Sequence, residues 1–290
     1  MSKKVCAIIV TYNRLETLKT ALAHILAQTV PPAAIVVVDN NSTDGTKDYL
    51  TAVQNNIVHC LFMNSNEGPA GGISHGMEYG LKLSEFDYFW ILDDDTFYEK
   101  NALSDLIDTI DNSGFTMLGL HGGNIKLGKK IPVNADIRLQ PADYVMIDGA
   151  IIKAEAIRTI GPVNEKFFMM CEDHEYCLRL KKHGYSIGIL KNGTDNRLYL
   201  GGGGKFTRST LWRGYYAARN HTLILKQYFS VAGLFGYLHL QVKLLVVAAV
   251  MAPDRAQRVK LRLLGIWHGL KGVYGKTLDP GTLKFDNLKL

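Results

Sequence analysis

The sequence predicts an α/β fold with a mostly parallel sheet flanked by helices. Over the first hundred residues short β-branched runs alternate with longer mixed segments, the pattern of βαβ units. Carboxylates follow two of these runs, at Asp39 and at Asp93, Asp94 and Asp95, and open parallel sheets bind ligands beyond the carboxyl ends of their strands. With 290 residues, 47% hydrophobic and 21% charged, the chain has core enough for one large domain, or one domain with an appendage, and does not read as disordered or coiled-coil.

Each element follows from local pattern. Residues 5–10 read as the first strand, and Leu15, Leu18, Leu22, Ile25 and Leu26 recur at helical spacing across 15–28. Residues 35–38 form a second strand, and Asn41, Ser42 and Thr43 offer caps for a segment beginning near Asp44. A strand over 57–63, a helix over 70–83 and a fourth strand over 87–92 complete the alternation. Beyond residue 115 the pattern loosens, and 121–130, rich in Gly and Lys, reads as loop. Residues 144–153 read as a strand followed by a short helix. A helix over about 173–183, ended by Gly184, and a strand over 186–190 follow.

Composition excludes several classes. Cys6, Cys60, Cys171 and Cys177 show no CxxC spacing, which argues against a disulfide scaffold or zinc ribbon and for a reducing compartment. Two lysines and a short apolar run broken at Thr11 make the start a strand, not a signal peptide. Residues 205–290 hold 14 Lys/Arg against 3 Asp/Glu, whereas residues 1–204 hold 19 against 24. The expected division is therefore an acidic body over 1–204 and a helical, basic tail over 205–290. Such a tail suits an anionic partner, nucleic acid or phospholipid.

Asp39 and the residues after it (DNNSTDG) suit a plain turn as well as a ligand site. Three consecutive carboxylates behind the apolar run YFWIL repel one another, and favour a site in which a cation or backbone donors relieve them.

The segments TYNR at 11–14, VVVDNNSTDGT at 36–46 and LDDDT at 92–96, in this order and each after a strand, resemble the inverting family 2 glycosyltransferases of the GT-A, Rossmann-like fold. NEGPAGG at 66–72, CEDHEYCLRLKKHGY at 171–185, RGYYAARN at 213–220 and HGLKGVYGK at 268–276 extend the resemblance over most of the chain. The last two are similar to the subgroup of bacterial rhamnosyltransferases and galactofuranosyltransferases, which build cell-surface polysaccharides such as O-antigen.

The resemblance implies a nucleotide-diphosphate sugar donor, a lipid-linked glycan acceptor and Mn2+ or Mg2+ as cofactor. Asp93 and Asp95 match the family's DxD metal motif, with Asp95 the direct ligand, Asp93 nearer the ribose and Asp94 in support. Thr11 and Asp39 match positions that hold the nucleotide base and ribose, with Tyr12 and Asn13 beside them. Gly68, Gly71 and Gly72 would let backbone approach the donor. Their spacing is not GxGxxG, which argues against a nicotinamide cofactor. Asp173 matches the general base, with Glu172 and Glu175 binding acceptor hydroxyls or orienting it; an acidic patch at a helix start is the plainer alternative. The histidine that completes metal binding in many relatives is missing from NGTDNRLYLGGGG at 192–204, where Asp195 or Asn196 could substitute. The glycines 201–204 read equally as a lid over donor or as a linker.

Residues 229–252 carry one full charge, Lys243, before Pro253. Arg255, Arg258, Lys260 and Arg262 then alternate with apolar residues and Trp267. This favours a helix lying on an anionic bilayer over one that spans it, with packing on the body or in a homo-oligomer as the alternative. No helix-turn-helix, RNP-like or zinc-finger pattern supports nucleic acid. The expected location is cytoplasmic, attached peripherally to the inner face of the plasma membrane. Two other functions compete. An inactive glycan-binding scaffold would have no need of all three DDD carboxylates and Asp173. A nucleotidyltransferase would carry a basic, Gly-rich loop where TYNRLET stands.

Overall fold

The computed structural model describes residues 3–126, 129–198, 200 and 206–286; the glycines at 201–204 lie outside the described residues. β1 (Val5–Thr11), α1 (Leu15–Leu26), β2 (Ala34–Asp39), α2 (Thr46–Ala52), β3 (Val58–Phe62), α3 (Gly68–Leu83) and β4 (Tyr88–Asp93) alternate as the sequence predicts. β1 lies between β2 and β4, both parallel to it, and β3 adds to the outer side of β2. Along β1 successive side chains go to opposite faces. Cys6 and Ile8 join the core beneath α3, while Val5, Ala7 and Ile9 join a second core with Leu18, Leu22 and Ile25 of α1.

The sheet continues through β5 (Thr96–Tyr98), which lies apart from it, α4 (Ala102–Asp111) and β6 (Met117–Gly119). Where a loop is expected, β7 (Gly122–Lys126) pairs antiparallel with β8 (Lys129–Pro132). The reason lies in the glycines: a Cβ at Gly123 would stand 2.3 Å from the Ile131 carbonyl oxygen, so the residues that suggested loop are those the close pairing requires. β9 (Leu139–Pro141), β10 (Tyr144–Val145) and β11 (Ile151–Lys153) follow, the segment 144–153 giving two short strands before α5 (Ala154–Ile160). Then come α6 (Glu172–Lys182), β12 (Ile187–Leu190) and β13 (Asp195–Arg197), the last paired with β5. The main sheet has eight strands in the order β3-β2-β1-β4-β11-β6-β12-β9, parallel except around β11 and at β9.

Three helices close the chain: α7 (Leu211–Gln227), α8 (Val231–Val250) and α9 (Arg255–Lys271). α7 is part of the body, with Leu223 and Ile224 in the core beneath α3 and α6. α9 lies along α7, and their contact is tight because a Cβ at Gly265 would stand 2.3 Å from the Tyr215 carbonyl oxygen. Arg258 and Arg262, expected to face lipid, are buried. Arg258 donates to the carbonyls of Pro253 and Thr207, and Arg262 to Oε1 of Gln241 on α8. Their charge is used to join helices, because the positions facing α7 and α8 are the ones they occupy on α9.

Candidate active site

The register places Thr11 beside Asp39, and Val10 beside Asp93, so three strands deliver their last residues to one edge of the sheet. There Asp94 accepts hydrogen bonds from Thr11 Oγ1 at 2.7 Å and from Arg14 at 2.8 Å, and the same guanidinium lies 3.4 Å from Asp95. Asp94 thus does more than support its neighbours: it ties the end of β1 and the start of α1 to the end of β4. Asp93 is met from the opposite side by Arg197 of β13, at 2.5 Å. Asp95 accepts from the backbone N–H of Leu200, and its own carbonyl accepts from Leu198.

Behind these carboxylates stands Asp148, buried between β10 and β11. One of its oxygens accepts from the Asp93 N–H and the Tyr98 hydroxyl, the other from Thr96, and Arg197 lies 3.1 Å away. Four carboxylates are therefore held by two guanidiniums. Burial, then the charge of Asp148, raises the Asp93 carboxyl well above the ordinary range, and the opposing charge of Arg197 does not offset them. Burial also raises Asp94, against the opposing pull of Arg14.

This is a donor set of hard oxygen ligands with unbalanced negative charge, which fits Mg2+ or Mn2+. Arg197 and the Leu200 N–H each take Oδ2 of their carboxylate, on Asp93 and Asp95 respectively, so Oδ1 of each is the atom these two bonds leave over for such an ion. The Asp195 carboxylate lies 2.6 Å from Nε2 of His121, a histidine reaching β13 from the start of β7. Among the described residues no group of three His, Cys, Asp or Glu side chains is gathered closely enough to hold a metal by itself.

The nucleotide side of the edge is built from loop-to-loop bonds. Asp39 accepts from the Ser42 N–H. Asn13 accepts from Thr43 N–H and donates its own N–H to Ser42 Oγ, while Asp44 accepts from Leu15 N–H and caps α2 through Thr46. Asn40 is buried and joins the end of β2 to the start of α3, donating to the Gly68 carbonyl and accepting from the Glu67 N–H. Tyr12 projects into solvent. Gly72 has a packing reason for being glycine: its Cβ would lie 2.4 Å from Val10 Cγ1; at Gly71 the nearest atom would be Glu67 Cβ, 2.6 Å away.

Glu172 and Asp173 open α6, after a loop in which Phe168, Met170 and Cys171 all have positive φ. Asp173 accepts from the His174 N–H at 2.7 Å. Oε2 of Glu172 is buried and has no hydrogen-bond partner among the described residues. Burial, reinforced by Asp173, pushes the Glu172 carboxyl up to about 8. Glu175, in contrast, is tied down by Arg179 and Tyr228 at the foot of the helix. His174 and His221 meet edge to face at 6.2 Å, and burial drives His221 down to about 3, so that it stays neutral.

Burial, then the neighbouring Arg197 guanidinium, lowers the pKa of Arg213 on α7, and the nearby Glu172 opposes them. Reading the sequence missed Asp148, Asn40, His121 and Arg197 as site residues, and assigned no role to Arg14 within TYNR. Asp148 had one weak signal, an acid inside an otherwise apolar run (YVMIDGAII).

Residues 6–144 match the family described as glycosyl transferase family 2. The chain is similar to galactofuranosyltransferase GlfT1 of Mycolicibacterium smegmatis, 24% identical over 255 residues that cover 77% of this chain and 83% of that protein. It is similar to dTDP-rhamnosyl transferase RfbF of Shigella flexneri, 24% identical over 300 residues that cover 95% and 98%. Its fold is shared with S. aureus TarS 1–349, at a TM-score of 0.59 and 15% identity over 98% of this chain and 97% of that one.

The raised carboxyl of Glu172 has a measurable consequence. A carboxyl whose folded pKa lies near 8, against an ordinary 4.5, stabilises the fold most below 4.5, and that contribution is lost as pH rises through about 8. Gln cannot ionise. The melting temperature of Glu172→Gln relative to the unmodified protein should therefore climb between pH 5 and pH 9, and a pH-independent difference would contradict the burial of this acid.

Proposed function

We propose, on the match of residues 6–144 to glycosyl transferase family 2, that the chain is an inverting, metal-assisted member of that family, moving a sugar from a UDP- or dTDP-linked donor to a lipid-linked glycan. Rhamnose and galactofuranose are the leading sugars, because a dTDP-rhamnosyl transferase and a galactofuranosyltransferase are among its relatives. The observation that carries the reading is the edge where β1, β2 and β4 end, which sets Thr11 and Asp39 beside Asp93–Asp95 and the guanidiniums of Arg14 and Arg197: these carboxylates serve the leaving diphosphate, and Glu172 and Asp173 the incoming hydroxyl.

In the transfer an acceptor oxygen attacks the anomeric carbon, the bond from that carbon to the diphosphate breaks with its electron pair going to the diphosphate, and the hydroxyl proton passes to Asp173. General bases of this kind work by being within hydrogen-bond reach of the proton they take. Glu172, still protonated near neutrality, donates to a second acceptor oxygen through its unpartnered carboxyl. Thr11, Tyr12, Asn13 and Asp39 hold the nucleoside, while Gly71 and Gly72, expected to give the donor room, are instead needed for packing against Glu67 and Val10. Asp93 and Asp95 would hold Mn2+ or Mg2+, which would supply positive charge to the departing diphosphate. Arg14 and Arg197 keep those carboxylates aimed, and Asp94 and Asp148 keep the arginines in place.

The partner of the C-terminal helices is read from their surface. α8 is long and apolar enough, by length and composition, to cross a membrane, and most of it is uncovered. Val231, Phe235, Leu238, Val242, Val246 and Val250 form one exposed stripe along it. Leu263, Trp267 and Leu270 are exposed on α9, with Lys271 over the Trp267 ring. Apolar residues rimmed by Arg255, Lys260 and Lys271 suit the inner, anionic face of a plasma membrane.

Three variants test the proposal. With a UDP- or dTDP-sugar and Mn2+, Asp95→Ala should abolish release of nucleoside diphosphate. Asp173→Asn should slow it by about 10²–10⁴-fold with donor affinity kept; loss of donor affinity by calorimetry would remove Asp173 from the role of base. For the membrane, Phe235→Ser/Val242→Ser/Trp267→Ser should free the protein from anionic vesicles in flotation. Unchanged flotation would rule the stripe out, and a monomer replacing a dimer in the variant would assign the stripe to a second copy.

A further inference from the structure

Arg219 and Asn220 close the RGYYAARN segment of α7. Both are fully buried, and neither has a hydrogen bond to any acid of the site. What they touch is the backbone just before Glu172. The amide of Asn220 donates to the carbonyls of Phe167 at 3.1 Å, Met169 at 2.9 Å and Met170 at 2.7 Å, and Arg219 donates to Phe167 at 3.0 Å. The Phe168 carbonyl is taken from the other side by the N–H of Ala70 on α3, and the Cys171 carbonyl by Glu175 within α6.

All five carbonyls from 167 to 171 are thereby bound. The need is plain in the backbone: Phe168, Met170 and Cys171 have φ of 62°, 69° and 68°, a conformation that non-glycine residues keep only when their surroundings enforce it. The turn they make determines where Glu172 and Asp173 point.

The HGLKGVYGK segment secures the clamp in turn. Arg219 also donates to the Gly275 carbonyl at 2.6 Å and to Thr277 at 3.1 Å. His268 Nδ1 lies 2.6 Å from the Tyr215 hydroxyl, and a Cβ at Gly269 would meet the Arg219 carbonyl oxygen at 2.6 Å. Two stretches far apart in sequence are thus one device.

We propose that Asn220 is a positioning residue: with Arg219 behind it, its amide holds the 167–171 turn so that Glu172 and Asp173 face the bound donor. The inference rests on the catalytic reading of those two acids, and its test separates the two. Asn220→Ala should raise hydrogen exchange of the amides at 167–173 while leaving β1 to β4 protected, keep the affinity for UDP or dTDP with Mn2+, and lower kcat by about 10²-fold, the scale of an ångström misplacement. Asn220→Ser, which keeps one donor, should fall between the two, and carries the test if the alanine variant does not fold.

Unchanged exchange at 167–173 would overturn the clamp itself. Raised exchange with full kcat, beside an inactive Asp173→Asn, would overturn the link from clamp to catalysis. Raised exchange with full kcat in both variants would uphold the clamp and instead overturn the catalytic assignment of the acids.

Discussion

The site depends on keeping negative charge crowded at the end of one strand. Asp93, Asp94 and Asp95 follow β4 directly, Asp148 approaches from behind, and water is largely excluded from three of the four. Crowded carboxylates in a low dielectric repel strongly and shift toward their protonated forms, as Asp94 does. The chain meets this with two guanidiniums brought from opposite directions, Arg14 from the start of α1 and Arg197 from β13. Two arginines against four acids leave a deficit that a divalent ion and a ligand's donors are suited to fill. Much of the surrounding architecture serves that arrangement. β13 pairs with β5 to present Arg197, and Asn13, Asp39 and Asp44 tie the neighbouring loops so that Arg14 stays at the edge.

The second acid pair is held by a different means. Backbone in an unfavourable conformation is enforced by buried amide and guanidinium donors from α7, and α7 is enforced by α9. The C-terminal helices therefore have two faces with separate duties. The inner face, with Arg219, Asn220, Arg258 and Arg262, is structural. The outer face, with its apolar stripe and Trp267, is open to a partner. A net positive charge summed over 205–290 conceals this, because three of its arginines never reach the surface.

Much of the fold was legible because short, continuously buried runs of β-branched and aromatic residues, the mark of parallel strands covered on both faces, alternate with segments of helical period. The three DDD carboxylates and the acids at the head of α6 were legible for a chemical reason: clustered charge after apolar residues is costly without a use. The β7–β8 pairing was not, because its glycines and lysines carry no alternation and the side chains that anchor it, Ile125 and Lys130, meet partners that only the fold brings near. Asp148 was hidden because one acid in an apolar run looks the same whether it faces solvent or a buried cluster. Arg197 and Asn220 were hidden because their partners lie 104 and about fifty residues away in sequence, in contacts that only the folded chain defines.

The central claim is that the two acidic groups share one cavity, with a sugar nucleotide between them. A crystal structure of the protein with Mn2+ and UDP or dTDP measures this directly. The account predicts the diphosphate against Asp95, the nucleoside against Asp39, and the terminal phosphate directed toward Glu172 and Asp173. A nucleotide bound away from Asp93–Asp95, or protein packed solidly between its terminal phosphate and Asp173, would contradict it.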